Sequence, residues 1–326
     1  MWHRKTWLGV VTLMSAFVLA LPANLGSQGP GVQLPPPGPA DAGARVKIEV
    51  DLVLVPVTVT DPYNRLVTGL RKEHFEILED NQPQEILYFS NEDAPLSLGV
   101  VFDVSDSMNW SSKLDRAIKA AVQFLQTSNP GDEFFVVQFS DRPQLVAGFT
   151  SQVEEVQHRL ASIRADGRTA LLDAIYLALD TMHDANNGRK ALLVISDGGD
   201  NRSRYGVKDV KSAVRESDVQ LYAIGIFDPD RSGRGAEYIQ GPYLLSELAE
   251  MTGGRMFPVE LYSLHELPDL AAKISVELRN QYIVGYRPSN TARDGSWRRI
   301  KVKLKPPKGL PQLYSYARSG YYAPTH

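Results

Sequence analysis

Cysteine is absent from the chain, which excludes disulfides, thiolate nucleophiles and cysteine-bound zinc. Histidine is scarce. His3, His74, His158, His183, His265 and His326 include no pair at ligand spacing, so no histidine zinc site can be read either. Neither G-x-x-x-x-G-K-[ST] nor G-x-S-x-G occurs, and the common nucleotide-hydrolase and serine-hydrolase signatures are therefore missing. A large excess of one charge is also lacking. The formal net charge of −3 gives no general reason to expect nucleic acid or an anionic membrane as partner. Apolar residues are not lacking: 43% of 326 residues can supply a sizeable core and allow two domains.

The one long apolar run is N-terminal. Met1-Trp2-His3-Arg4-Lys5 is basic, Trp7 to Leu21 is mostly apolar, and small residues follow around Ala20 and Ala23. This is the pattern of a cleaved export signal over residues 1–23, and it is short for a stable span. A secreted or periplasmic protein is expected, with an N-terminal membrane anchor as the alternative. Residues 24–44 include Gly29-Pro30 and Leu34-Pro35-Pro36-Pro37-Gly38-Pro39, a composition suited to an extended spacer and to neither helix nor central strand.

Residues 45–92 read as β structure. Val46 to Thr60 carries Pro56, which suggests an edge strand or a bulge. Phe75-Glu76-Ile77-Leu78 and Glu85-Ile86-Leu87-Tyr88-Phe89 are further strand patterns, with turn signals at Asp61-Pro62-Tyr63-Asn64 and Glu79-Asp80-Asn81-Gln82. So few strands need partners. Residues 281–326 offer them in Gln281–Tyr286, Trp297–Leu304 and Leu313–Tyr322. The economical arrangement is a smaller β-sandwich built from both ends, its segments packing on each other and not on the sheet of the insert. Residues 95–280 alternate strand and helix, which implies an α/β, Rossmann-like, doubly wound and mostly parallel sheet inserted between the two halves. Strands are expected at 96–104, 133–139, 145–148, 191–196, 221–227 and near 255–257. Helices are expected at 113–126, 153–163, 170–182, 207–216, 243–251 and 264–278.

The chemistry gathers at strand ends. The run Leu96-Ser97-Leu98-Gly99-Val100-Val101-Phe102 ends in Asp103, Ser105 and Ser107, whose spacing sends three oxygens one way, because strand side chains repeat every two residues. Thr169 opens a helical pattern, and Asp197 closes Ala191-Leu192-Leu193-Val194-Ile195 before Gly198-Gly199. Two carboxylates and three hydroxyls suit a hard cation, Mg²⁺ or else Mn²⁺ or Ca²⁺, and not zinc or copper. The bland alternative is that the aspartates cap helices and the serines line a turn. A dication held largely by hydroxyls and water keeps residual positive charge, and so accepts a carboxylate from another protein at an open position.

With these three pieces in this order, the chain resembles a von Willebrand factor A (VWA) domain carrying a metal-ion-dependent adhesion site. Thr60-Asp61, Val67-Thr68-Gly69-Leu70, His74-Phe75-Glu76-Ile77, Gln84-Glu85-Ile86 and the closing Arg318-Ser319-Gly320-Tyr321-Tyr322 are similar to the bacterial secreted VWFA-related family, common in Acidobacteria. The resemblance implies an exported, non-enzymatic module. It also implies that Asp103 and Asp197 act through bridging waters while a Glu or Asp of a protein partner fills the last position. One departure is Asp106, where the family has glycine. An extra carboxylate there either blunts the ion's pull on an acidic partner, holds a second cation, or only caps the next helix or faces water.

Other features carry less. Asp228-Pro229-Asp230-Arg231-Ser232-Gly233 begins like an EF-hand loop, but position 12 is Ile239, so the bidentate glutamate is missing. That loop, with Asn109 to Ser112 and Asn201 to Tyr205, is a candidate for partner specificity. Asp200-Asn201 reads as a solvated turn. Arg298, Arg299, Lys301, Lys303 and Lys305 read as a solvated strand face guarding an edge. The leading reading is a divalent-metal-dependent protein-binding module. The alternatives are a hydrolase using the same ion as a Lewis acid and a structural assembly protein with no functional metal.

Overall fold

A computed structural model describes residues 52–109, 112–227 and 236–325. The expected export signal, the spacer, the start of the first β segment, residues 110–111 of one rim loop and residues 228–235 of the EF-hand-like loop lie outside the described residues.

The strand–helix alternation from residue 96 onward produces one six-stranded sheet. Its strands are β5 (Leu96–Asp103), β6 (Glu133–Phe139), β7 (Pro143–Thr150), β8 (Arg189–Ser196), β9 (Val219–Phe227) and β10 (Met256–Glu260), in the order β10-β9-β8-β5-β6-β7. All neighbours are parallel except β7, which runs antiparallel to β6. The apolar runs follow from burial on both faces. Leu98, Val100 and Phe102 face one core with Phe134, Val136, Leu193 and Ile195. Val101, Phe135, Val137, Leu192 and Val194 face the other. Each such side chain taken from water contributes about 2 kcal/mol.

Helices α1 (Lys113–Gln126), α2 (Val153–Leu160) and α6 (Leu267–Arg279) cover the first face, through Phe124, Leu160 and Ile274 among others. Helices α3 (Leu171–Thr181), α4 (Val207–Glu216) and α5 (Ala236–Met251) cover the second, through Ile175, Val214 and Leu248. The expected elements are present, with shifted ends. Helix α5 starts before the expected Tyr243, at Ala236, and runs through Pro242. Edge strand β10 extends to Glu260 and tolerates Pro258 because an edge strand has one side without a ladder partner. Helix α5 closes with Gly253 at φ +79 and a bond from Gly254 N–H to Ala249 O at 3.0 Å, a left-handed Schellman stop.

The remaining strands come from both sides of this insert. One sheet orders β13 (Tyr314–Ala317), β1 (Val53–Thr60), β11 (Tyr282–Tyr286) and β4 (Ile86–Ser90). The other orders β14 (Gly320–Tyr322), β12 (Trp297–Leu304), β2 (Phe75–Glu79) and β3 (Gln82–Gln84). Val55, Val57, Ile77, Val284, Tyr286 and Ile300 from the two sheets share one core. Asp80 and Asn81, at φ 47 and 67, make the β2–β3 connection a tight hairpin turn.

Several sequence expectations need correction here. Strand β1 is internal and not an edge, but its pairing to β13 begins only at Val57, so Pro56 sits where β1 has a ladder partner on one side. Strand β12 is internal as well, between β14 and β2. Arg298 does not belong to its solvated face: it is buried and bonds both oxygens of Asp294, because adjacent residues of a strand point to opposite faces. The single C-terminal strand is two, divided at Arg318-Ser319 where the chain changes sheets.

The two terminal segments also pack on the insert. Arg255 donates to Glu277 Oε1 at 2.7 Å and to Asn64 Oδ1 at 2.9 Å, and lies over the Tyr316 ring at 4.4 Å. Gly253 admits the close approach: a Cβ there would stand 2.5 Å from the backbone of Ala317.

Candidate functional site

Strands β5 and β8 are neighbours at the point where the sheet's winding reverses. The chain leaves β5 through α1 on one face and leaves β8 through α4 on the other. Their loops diverge at the carboxyl ends and open a crevice, the usual ligand position of an open α/β sheet. Asp103 ends β5, and Asp197 follows β8 directly.

The turn after β5 is built around the Asp103 carboxylate. Oδ1 accepts the Ser105 N–H at 2.9 Å and the Ser105 hydroxyl at 2.6 Å. The hydroxyl oxygens of Ser105 and Ser107 are 3.0 Å apart. Thr169 reaches this turn through backbone bonds across three segments. Asp166 N–H donates to Val104 O, and Asp106 N–H to Gly167 O, both at 2.9 Å. The Thr169 carbonyl then accepts the N–H groups of Asn201 and Arg202 at 3.0 and 3.1 Å, and the Asn201 side chain accepts the Thr169 N–H at 3.1 Å. The loops bearing Asp103, Ser105, Ser107, Thr169 and Asp197 are thus tied together, with Asp103, Ser105, Thr169 and Asp197 all buried.

Two residues of the cluster were not singled out by sequence reasoning. The Ser196 hydroxyl donates to Asp103 Oδ2 at 2.5 Å and accepts the Gly198 N–H at 3.0 Å. Lys113, the first residue of α1, is buried with its Nζ 3.7 Å from Asp197 Oδ2. A serine ending a strand and a lysine opening a helix carry no periodic signal. The available clue was their position, one residue before Asp197 and on the helix that leaves the Asp103 strand.

The electrostatics are those of two carboxylates taken out of water. Burial, and after it the charge of Asp197, pushes the Asp103 carboxyl up to about 7, although the bonds from Ser105 and Ser196 pull the other way. Among the described residues, Asp197 Oδ2 is buried without a hydrogen bond. A buried oxygen of this kind costs free energy unless something satisfies it. A hard dication fits the donor set: all oxygen, with two carboxylates and three hydroxyls. Among the described residues no group of three or more acidic or histidine side chains is placed to hold a metal; the candidate donors here are two carboxylates and three hydroxyls.

Around the cluster, Asp106 is exposed at the head of a short 3₁₀ turn, Asp106–Asn109. Asp200 and Asn201 are not merely a solvated turn. The residue before α3 is Ala170, which has no side-chain oxygen for the free N–H groups of the first turn. Asp200 Oδ2 accepts Leu172 N–H at 2.8 Å and Ser203 Oγ accepts Asp173 N–H at 3.0 Å. Gly198, at φ +80, lies against Gly241 of α5, where a Cβ would stand 2.9 Å from backbone, and this packs α5 against the loop that follows Asp197. Beside that loop is a cleft of about 840 Å³ lined by Asp141, Arg142, Tyr176, Arg202, Arg204 and Tyr205. Tyr176 and Tyr205 stack there at 4.0 Å.

Residues 98–199 match the family model for the von Willebrand factor type A domain. Human inter-alpha-trypsin inhibitor heavy chain H2 is 24% identical over 152 residues, covering 42% of this chain and 16% of that protein. Bovine inter-alpha-trypsin inhibitor heavy chain H4 is 29% identical over 131 residues, 35% of this chain and 14% of that one. The chain therefore spans about a sixth of the length of these relatives. Among solved structures, a von Willebrand factor type A protein from Catenulispora acidiphila aligns over 83% of this chain and 74% of its own, at 12% identity and a TM-score of 0.49. Matching on residues 98–199, which run from the strand that presents Asp103 to the glycines after Asp197, the chain contains a von Willebrand factor type A domain.

Proposed function

We propose that this protein is an exported, non-enzymatic recognition module that binds a protein partner through a divalent cation. Asp103, Ser105, Ser107, Thr169 and Asp197 form a metal-ion-dependent adhesion site for Mg²⁺ or Mn²⁺, and the partner supplies a Glu or Asp side chain. The observation that carries this reading is the pairing of two buried carboxylates at the β5–β8 crevice, with Asp103 raised by burial and, after it, by the charge of Asp197, and Asp197 Oδ2 without a hydrogen bond among the described residues. A site that holds two carboxylates this close in low dielectric gains from a dication between them. Three neutral hydroxyls add no further negative charge, so the bound ion retains attraction for an anionic ligand.

The nearby cleft, with Arg202, Arg204 and the Tyr176–Tyr205 stack, is placed to add partner specificity. Export rests on the basic-then-apolar pattern of residues 1–23. The family resemblance is to the bacterial secreted VWFA-related proteins. The test is a pull-down from culture supernatant with and without EDTA, repeated with Thr169→Ala. Capture should be lost on chelation, and Thr169→Ala should weaken capture more than it lowers the melting temperature. A verified partner that binds equally well once the ion is shown to be gone would refute the bridging mechanism.

A further inference from the structure

Strand β12 carries a row of cations that the fold does not use. Arg299, Lys301 and Lys303 alternate along it and are all exposed, so they share the outer face of the β14-β12-β2-β3 sheet. Because β12 is an inner strand, these charges guard no free edge. They meet little opposite charge either. Arg299 faces Gly320 across the ladder and Lys301 faces Leu78. Lys303 faces Glu76, whose carboxylate is held by Lys305 at 2.9 Å. Asp80 accepts the backbone N–H of Arg299 at 3.0 Å. Among the described residues, none of the three cations forms an ion pair. Like charges two residues apart on a strand, about 6.8 Å, repel one another, so the row costs the fold and does not hold it.

We propose that this face binds a linear anionic polysaccharide, whose acidic groups lie along Arg299, Lys301 and Lys303. Such a site is separate from the metal-bridging reading and does not rest on it. Charge complementarity makes the ligand a polyanion. The chain as a whole carries a formal −3, so the attraction is local to this face. The single file makes the ligand linear: from Arg299 to Lys303 the row runs about 14 Å along one strand, a line of contacts for one extended chain. A bilayer presents a plane of charge and is held better by apolar side chains that insert, whereas Leu78, opposite Lys301, is 7% exposed. A nucleic-acid strand calls for a series of open aromatic faces on which bases stack. At the head of the row Trp297 stands edge-on to Tyr322, with ring centroids 5.0 Å apart. Trp297 also packs on Gly320, where a Cβ would stand 2.5 Å from its ring, and holds the Arg215 guanidinium 5.8 Å from its centroid. That ring is engaged within the protein, and no other aromatic side chain follows it on β12. A carboxylated or sulfated sugar chain needs only the cationic donors that the row supplies.

The experiment is a calorimetric titration of polygalacturonate and of dextran sulfate into the full chain in EDTA, with uncharged dextran as the blank. Chelation keeps the metal site out of the readout, so a failure here is distinguishable from a failure of the metal-bridging reading. Both polyanions should bind at low salt, and dextran should not. The triple variant Arg299→Gln, Lys301→Gln, Lys303→Gln should bind about tenfold more weakly or worse. Its slope of log affinity against log salt should be shallower by about one for each residue replaced. All three side chains are exposed, so the variant should keep the wild-type circular dichroism spectrum, and Lys301→Gln alone carries the test if it does not. The pair Lys119→Gln, Arg164→Gln, at exposed positions of the insert, should bind as wild type does. Absence of binding by wild type, or an undiminished affinity in the triple variant, would overturn the site. So would an equal loss in the control pair, or tighter binding to phosphatidylglycerol vesicles or single-stranded DNA than to either polysaccharide.

Discussion

Replacing Ser196 by alanine tests how the site is held together. The Ser196 hydroxyl is fully buried and makes two bonds, donating to Asp103 Oδ2 at 2.5 Å and accepting the Gly198 N–H at 3.0 Å. The first is charge-assisted, worth about 1.5–3 kcal/mol net, and losing the second leaves a buried N–H whose desolvation costs about 1–3 kcal/mol. The two share one hydroxyl and do not add fully, so about 2–4 kcal/mol of stability should be lost in the metal-free protein. Asp103 also loses a partner that favours its ionised form, which pushes its carboxyl further up. Ion affinity should then fall about tenfold to a hundredfold, the range for side chains that orient a metal ligand. Urea unfolding in EDTA reads the first quantity at unchanged m-value, and Mn²⁺ titration reads the second. A stability loss below about 0.5 kcal/mol, the range of ordinary surface substitutions, together with unchanged Mn²⁺ affinity, would refute the claim that Ser196 supports Asp103.

The raised Asp103 carboxyl predicts a pH effect of defined sign. The folded state holds this proton up to about pH 7, whereas an unfolded aspartate releases it near pH ~4. The stabilising contribution is therefore complete below about pH 4 and is lost as pH rises through 7. In EDTA, wild-type urea midpoints should decline relative to Asp103→Asn between those limits, and parallel curves would mean the carboxyl's environment is misread. At the contact between the insert and the terminal sheets, Arg255→Ala strands the nearly fully buried Glu277 and should cost about 3–5 kcal/mol. Hydrogen exchange should quicken around Asn64 and Tyr316, and a loss below about 1 kcal/mol would show that the pair contributes little.

The parts readable from sequence were those with local periodicity. Helix α1 and strand β6 end where the pattern put them, because amphipathic spacing and an apolar run are properties of consecutive residues. The D-x-S-x-S turn was visible as a motif at the end of an apolar run, but strand spacing does not gather its oxygens. Strand β5 ends at Asp103 and Ser107 lies in the 3₁₀ turn, so it is the bonds from Ser105 to the Asp103 carboxylate and between the two serines that draw them together. What depended on tertiary neighbours was not visible. Pro56 suggested an edge, yet β1 is an inner strand with a partial neighbour. Arg298 is a different case: strand alternation, a local property, already sets it opposite Arg299, and it is buried. Asp200 and Asn201 looked solvated because nothing local shows that α3 starts at a residue without a capping oxygen. Lys113 was hidden for the same reason: only packing brings the start of α1 against the residue that follows β8.

The measurement that bears most directly on the metal-bridging account is calorimetric titration of Mg²⁺ or Mn²⁺ into the purified chain, alongside Asp103→Ala and Asp197→Ala. Wild type should bind about one ion per chain, the stoichiometry of a single oxygen-ligated site. Neither variant should take up the ion, while both keep the wild-type circular dichroism spectrum. Unchanged ion affinity in both variants would contradict the metal-bridging account.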